Sequence, residues 1–150
     1  MRVYADTSVF GAIADTEPFA LPSMKFFELV KEGAFNLVVS PTLDDEIAEA
    51  PLRVRKFYET FKQAAEVAVS SGEVYDLKDA YIANGILTPK WEADAIHVAS
   101  ATVSRCRLIV SWNFRHIVNF KKIRMYNAVN LLRGYQDIAI HTPQEVVESE

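Results

Sequence analysis

Residues 2–10 read RVYADTSVF, four β-prone residues running straight into an acid and two hydroxyls. A short apolar run that stops on polar, turn-forming residues is the mark of a strand buried on both faces, with its carboxyl end opening onto a loop. The same grammar recurs. Asn36 to Val39 stops at Ser40-Pro41, Leu108 to Val110 stops at Ser111-Trp112-Asn113, and Ile138 to Ile140 forms a fourth β-prone run. The stretches between are long enough for helices, so the predicted fold is α/β: a parallel sheet flanked by helices on both faces.

The spacing of apolar residues predicts helices over Phe19 to Lys31, with Gly33 as C-cap, over Thr42 to Glu49, and over Leu52 to Ser71, where Phe57, Phe61, Ala64, Ala65 and Ala68 make a stripe. A shorter helix is expected over Asp79 to Leu87. Thr88-Pro89 then reads as an N-cap and first helical position for a helix to about Ser104, in which Trp91, Ala95, Val98, Ala99 and Thr102 recur at three and four residues. Ile123 to Arg133 is the last, ended by Gly134.

Composition agrees with one globular unit spanning residues 1–150. Half the residues are hydrophobic and 24 % are charged, which excludes fibrous and disordered readings. The one cysteine, Cys106, has no internal disulfide partner and reads as packing, and no run approaches the roughly 18 apolar residues of a membrane span, so a cytoplasmic protein with no membrane partner is expected. Net charge is −4, but its distribution is uneven. From Ala95 to Gln136 there is no acid, while Arg105, Arg107, Arg115, Lys121, Lys122, Arg124 and Arg133 supply seven cations. That stretch is expected to hold a polyanion backbone, against the alternative of a solvated basic face.

Open α/β sheets bind ligands at the carboxyl ends of their strands. Asp6, Glu46 in the helix after the second strand, Asp94 near the start of the helix from Pro89, and Asn113 all fall at that edge. Two carboxylates ~5 Å apart repel by about 3 kcal/mol at an effective dielectric of about 20, so such a cluster is expected to recruit a hard cation, Mg²⁺ or Mn²⁺. Thr7, Ser8 and Ser111 either donate to a phosphate or cap local turns. His97 shares the helix face of Asp94 and reads as a structural histidine, and His116 as a surface turn residue. Trp112 and Phe114 read as packing more readily than as base-stacking groups, and Arg53, Arg55 and Lys56 as a solvated face.

The segments VYADTSVF, VVSPTLDDEI, EADAIHVASA and LIVSWNFRHIVN, in this order, resemble the successive motifs of the PIN-domain ribonucleases, particularly the VapC-type toxins of prokaryotic toxin–antitoxin pairs. The resemblance runs from about Arg2 to Tyr135. It implies a PIN-like fold and a metal-dependent endoribonuclease in which Asp6, Glu46 and Asp94 match the acidic metal ligands, with a homodimer and a small antitoxin as partners. In that mechanism a metal-bound hydroxide attacks the RNA phosphodiester. The family's usual fourth acid is Asn113 here, which brings an amide oxygen without charge. This departure supports the alternative of a catalytically weakened RNA- or protein-binding module. A phosphoryl acceptor role for Asp6 lacks a neighbouring second acid and a lysine close after the third strand.

Overall fold

A computed structural model of the chain describes residues 1–68 and 71–148. In chain order it contains β1 (Arg2–Ala5), α1 (Thr7–Gly11), α2 (Ala20–Lys31), β2 (Asn36–Val39), α3 (Pro41–Ile47), α4 (Leu52–Lys62), β3 (Glu66–Val67), α5 (Gly72–Ala83), α6 (Glu92–Val103), β4 (Leu108–Val110), α7 (Phe120–Leu132), β5 (Ala139–His141) and α8 (Pro143–Glu148). Short 3₁₀ turns follow α1 at Ala12–Ala14 and precede α6 at Pro89–Trp91. The five strands form one parallel sheet in the order β3-β2-β1-β4-β5.

Strand periodicity sends alternate residues to opposite faces, and here both faces are apolar. Val3, Ala5, Leu37, Val39, Leu108 and Val110 pack with Val9, Phe26, Phe27, Leu43, Val54 and Val146, which belong to α1, α2, α3, α4 and α8. Tyr4, Val38, Ile109 and Ile140 pack on the other face with Leu77, Tyr81, Val98, Ala99 and Tyr126 from α5, α6 and α7. The sheet is therefore sandwiched between two helical layers, as its sequence predicts. Among the described residues no helix is long and apolar enough to cross a membrane.

Two helix expectations need correction. The predicted helix from Leu52 to Ser71 ends at Lys62, because Phe57 and Phe61 close on Phe27 at 4.9 Å each and the chain then turns to reach the free edge of β2. There Glu66 and Val67 pair with Val38 and Val39, and an Arg2–Glu66 ion pair pins the edge. Part of that predicted helix, residues 69–70, lies outside the described residues. The helix expected over Asp79 to Leu87 starts instead at Gly72, where the Ser71 hydroxyl accepts from the Val74 N–H. It stops at Asn84 because Gly85 takes a left-handed φ of +76° and sends Ile86 and Leu87 into the core.

Candidate functional site

The carboxyl ends of β1, β2 and β4 lie side by side, so the residues that end them meet. Asp6 caps α1 and is 3 % exposed. Its Oδ1 accepts from the Ser8 N–H (3.1 Å) and hydroxyl (2.5 Å), and its Oδ2 from the Ser111 hydroxyl (2.7 Å). The same two hydroxyls accept in turn from Trp112 N–H (2.9 Å) and Asn113 N–H (2.9 Å), which ties β1 to the loop after β4. Burial raises the Asp6 pKa, against the opposing pull of His97 and the two hydroxyls.

Glu46 projects from the last turn of α3, whose N-cap Ser40 ends β2. Its Oε1 accepts from the Thr7 hydroxyl (2.6 Å) and meets His97 Nε2 at 2.5 Å. His97 is buried, and its Nδ1 lies 2.6 Å from the Tyr4 hydroxyl, which lies 2.7 Å from the Ser40 hydroxyl. A chain of polar groups thus runs Ser40, Tyr4, His97, Glu46 through the sheet edge. Burial alone would lower the His97 pKa, but the Glu46 hydrogen bond and the charges of Asp6, Glu46 and Asp94 outweigh it, and the net shift is upward. Burial likewise pushes Glu46 up, yet the hydrogen bonds to His97 and Thr7 leave it lowered. His97 is structural, as its sequence position suggests, though far more deeply engaged. Tyr4 and Ser40 carry no signal in the sequence that separates them from ordinary strand and cap residues.

Asp94, in the first turn of α6, is half-buried beside Asn113; burial raises its pKa against the pull of His97 and the Asn113 side chain. Asn113 Oδ1 accepts from His116 N–H at 3.0 Å, which fixes the amide so that its NH₂ is the group left for Asp94. Asp6, Glu46 and Asp94 therefore gather around His97, with Asn113 beside Asp94.

The expected Mg²⁺ or Mn²⁺ site is overturned. Among the described residues no group of three or more His, Cys, Asp or Glu side chains is arranged to hold a metal ion. The acids instead accept internal hydrogen bonds, Asp6 from Ser8 and Ser111 and Glu46 from Thr7 with His97 beside it, while Asp94 lies by Asn113. The residues present do not fit the cation the sequence called for.

A cleft of about 500 Å³ opens beside the acids, lined by Glu46, Lys90, Trp91, Asp94, Asn113, Arg115 and His116. Lys90 Nζ and Arg115 Cζ lie 5.0 Å and 5.3 Å from the Trp91 ring centre, and the His116 ring stacks on the same indole at 4.6 Å. His116 is 7 % exposed, so it is not the surface turn residue expected. Burial lowers its pKa, and Arg115 and Lys122 add to the effect against Asp94. Trp91 reads in sequence as one member of a buried stripe, so its half-exposed place under two cations was not foreseeable from periodicity. Trp112 packs on Phe19 (4.9 Å) and donates to the Ser23 hydroxyl (2.8 Å), whereas Phe114 is exposed. Cys106 is buried, and burial pushes its thiol up to about 12.

The seven-cation stretch is divided. Arg115, Lys121, Lys122 and Arg124 lie at the carboxyl edge, in the loop after β4 and the first turns of α7. Arg107 sits just before β4, with its N–H on Arg2 O, and Arg133 caps the far end of α7, while Arg105 lines a separate cleft with Gly134 and Tyr135. Those three are at the opposite end of the sheet from the acids.

No protein family model matches the sequence, and no curated protein matches it. Among solved structures, the chain is similar to that of VapBC2 from Rickettsia felis bound to a DNA fragment from their promoter, with a TM-score of 0.59 and 11 % identity over 95 % of this chain and 98 % of that one. At that identity the likeness is one of fold alone.

Proposed function

We propose that the chain is a catalytically weakened PIN-like module that binds an RNA strand along the carboxyl edge of its sheet. The observation that carries this reading is that no group of acids at the edge is arranged to hold a metal ion among the described residues, while Asp6 and Glu46 accept internal hydrogen bonds beside a rim that keeps cations. Asp6, Glu46 and Asp94 form the floor of the site with Asn113. Arg115, Lys121 and Lys122 track the strand's phosphates by ordinary charge attraction. Thr7, Ser8 and Ser111 act on the strand only through the acids they hold in place. Lysine and arginine at this edge read RNA and other single strands through the same phosphate chemistry, so RNA is the polymer to test first.

The fold it shares with VapBC2, a structure bound to promoter DNA, supports a partner protein for this chain too, in the manner of a toxin–antitoxin pair. The deciding experiment incubates purified protein with labelled single-stranded RNA and follows anisotropy and strand length together. Salt-sensitive binding with intact RNA is expected. Reproducible scission that is lost in Asp6→Asn would refute the weakened-module reading and restore a hydrolase.

A further inference from the structure

Trp91, Arg115 and His116 form a wall common to two clefts. One is the cleft beside the acids. The other, also about 500 Å³, is bounded by Ile82, Gly85 to Pro89 and Lys122, and among the described residues no carboxylate lines it. That volume is in the range of small-ligand pockets.

The His116 ring faces an unusual situation there. Its main chain is fixed at both ends, N–H to Asn113 Oδ1 (3.0 Å) and carbonyl accepting from the Tyr126 hydroxyl (2.9 Å). Both ring nitrogens are nonetheless buried without a hydrogen-bond partner among the described residues. Buried polar atoms are almost always paired, so an orphaned imidazole in a cleft wall points to a group that arrives from outside. Two cations stand ready beside it. Arg115 is exposed, held over the Trp91 ring, and has no ion-pair partner among the described residues. Lys122 Nζ donates to Ile86 O at 2.7 Å, which leaves two of its three donors.

A neutral imidazole offers one N–H donor and one acceptor. A phosphate monoester oxygen accepts from the N–H edge of the ring, and its charge suits an arginine fork with a lysine. An internal phosphodiester carries only one negative charge, against about −1.5 to −2 on a terminal phosphate. We propose that this acid-free cleft is a phosphate-monoester subsite that seats the terminal phosphate of a bound strand, with Arg115, Lys122 and His116 as its ligands and Trp91 as the platform that holds Arg115 and His116 in place. The inference rests on the RNA-binding reading for the source of the phosphate, and its chemistry is shared by a free nucleotide.

The test measures the affinity of one short RNA in three forms, phosphorylated at the 5′ end, at the 3′ end, or at neither, alongside indole ¹⁵N shifts of Trp91 titrated with adenosine monophosphate. One phosphorylated form should bind about tenfold tighter than the unphosphorylated strand. Arg115→Gln and His116→Gln should each erase that preference; Arg115 is exposed, so its variant keeps the fold, and melting curves check both. Equal affinity for all three strands overturns the subsite, as does a preference that survives Arg115→Gln. If no strand binds but the monophosphate shifts Trp91 in wild type and not in Arg115→Gln, the RNA reading fails and the subsite stands with a nucleotide as ligand. If strands bind with no end preference, the reverse holds. If neither binds, both fall.

Discussion

Tyr4→Phe removes one oxygen atom from the centre of the polar chain that crosses the sheet edge. The side chain is fully buried, so no water takes the place of the lost hydroxyl. His97 Nδ1 loses its 2.6 Å partner outright, and the Ser40 hydroxyl loses a 2.7 Å contact while keeping its bond from Leu43 N–H. A buried polar atom left unpaired costs about 1–3 kcal/mol, and a half-satisfied hydroxyl costs less, so the variant should lose about 2–3 kcal/mol. For a chain of this length that corresponds to a melting temperature roughly 5–10 °C lower. Circular dichroism melts of wild type, Tyr4→Phe, His97→Gln and the double variant measure it. The two single losses should not add, because both variants break the same Tyr4–His97 contact. A fall of less than about 2 °C for Tyr4→Phe, or strict additivity in the cycle, would show that the chain is not a coupled network and would refute the argument.

The Glu46–His97 pair also sets a pH window: Glu46 is lowered, so its contribution is present above its ordinary value of 4.5 and is lost as pH falls through the folded value. His97 is raised, so its contribution is full below 6.5 and is lost as pH rises through the folded value. Asp6 and Asp94 are raised by burial and so also favour the acid side, which places maximal stability between about pH 4.5 and 6.5; melting temperatures that climb steadily from pH 6 to 8 would contradict this. Salt dependence should separate the two groups of cations: Lys121→Ala with Lys122→Ala should flatten the slope of RNA affinity against salt by about two phosphate contacts, while Arg105→Ala with Arg133→Ala should leave it unchanged, and equal effects would put the strand elsewhere. Asn113→Asp exchanges the amide donor to Asp94 for a second carboxylate, so it should cost roughly 1–3 kcal/mol at neutral pH and less in acid as the pair takes up a proton. Stabilisation at neutral pH by that variant would mean that Asn113 does not face Asp94.

The fold was legible where burial is two-sided. β1, β2 and β4 run over the residues their apolar runs predict, because a strand covered on both faces needs a continuous apolar run and ends where that run ends. β3 was not legible, since Glu66 and Val67 are exposed and are strand residues only by pairing with β2. α1 is too short for periodicity to register, and its cap, Asp6, reads equally as a turn residue. The acids were placed at one edge by topology alone, and they do gather there. Their partners lay beyond sequence reasoning: Glu46 and His97 are 51 residues apart, and nothing in either helix says that they touch.

That missing contact explains why the cation was expected and is not accommodated. Carboxylates brought together must be relieved of their repulsion, and a metal is one way to do it. A buried histidine whose pKa the acids raise is another. His97 lies among Asp6, Glu46 and Asp94, and the Glu46 hydrogen bond together with the charges of all three raises its pKa against burial. At ~5 Å and an effective dielectric of about 20, one positive charge gains about 3 kcal/mol from each carboxylate it faces, the same size as the repulsion between two of them. Hydroxyls from Ser8 and Ser111 then donate to the two oxygens of Asp6, and the Thr7 hydroxyl joins His97 on Glu46 Oε1. An acid at position 113 would undo that balance by adding a charge with no donor, so Asn113 belongs to a set of residues that temper the charge of the edge from within. Such an edge no longer repels a polyanion as bare carboxylates would, and the cations at its rim can act on a strand without an ion between them. Replacing His97 with Gln should therefore weaken RNA binding even though His97 is buried out of reach of the strand, and undiminished affinity in that variant would refute the compensation.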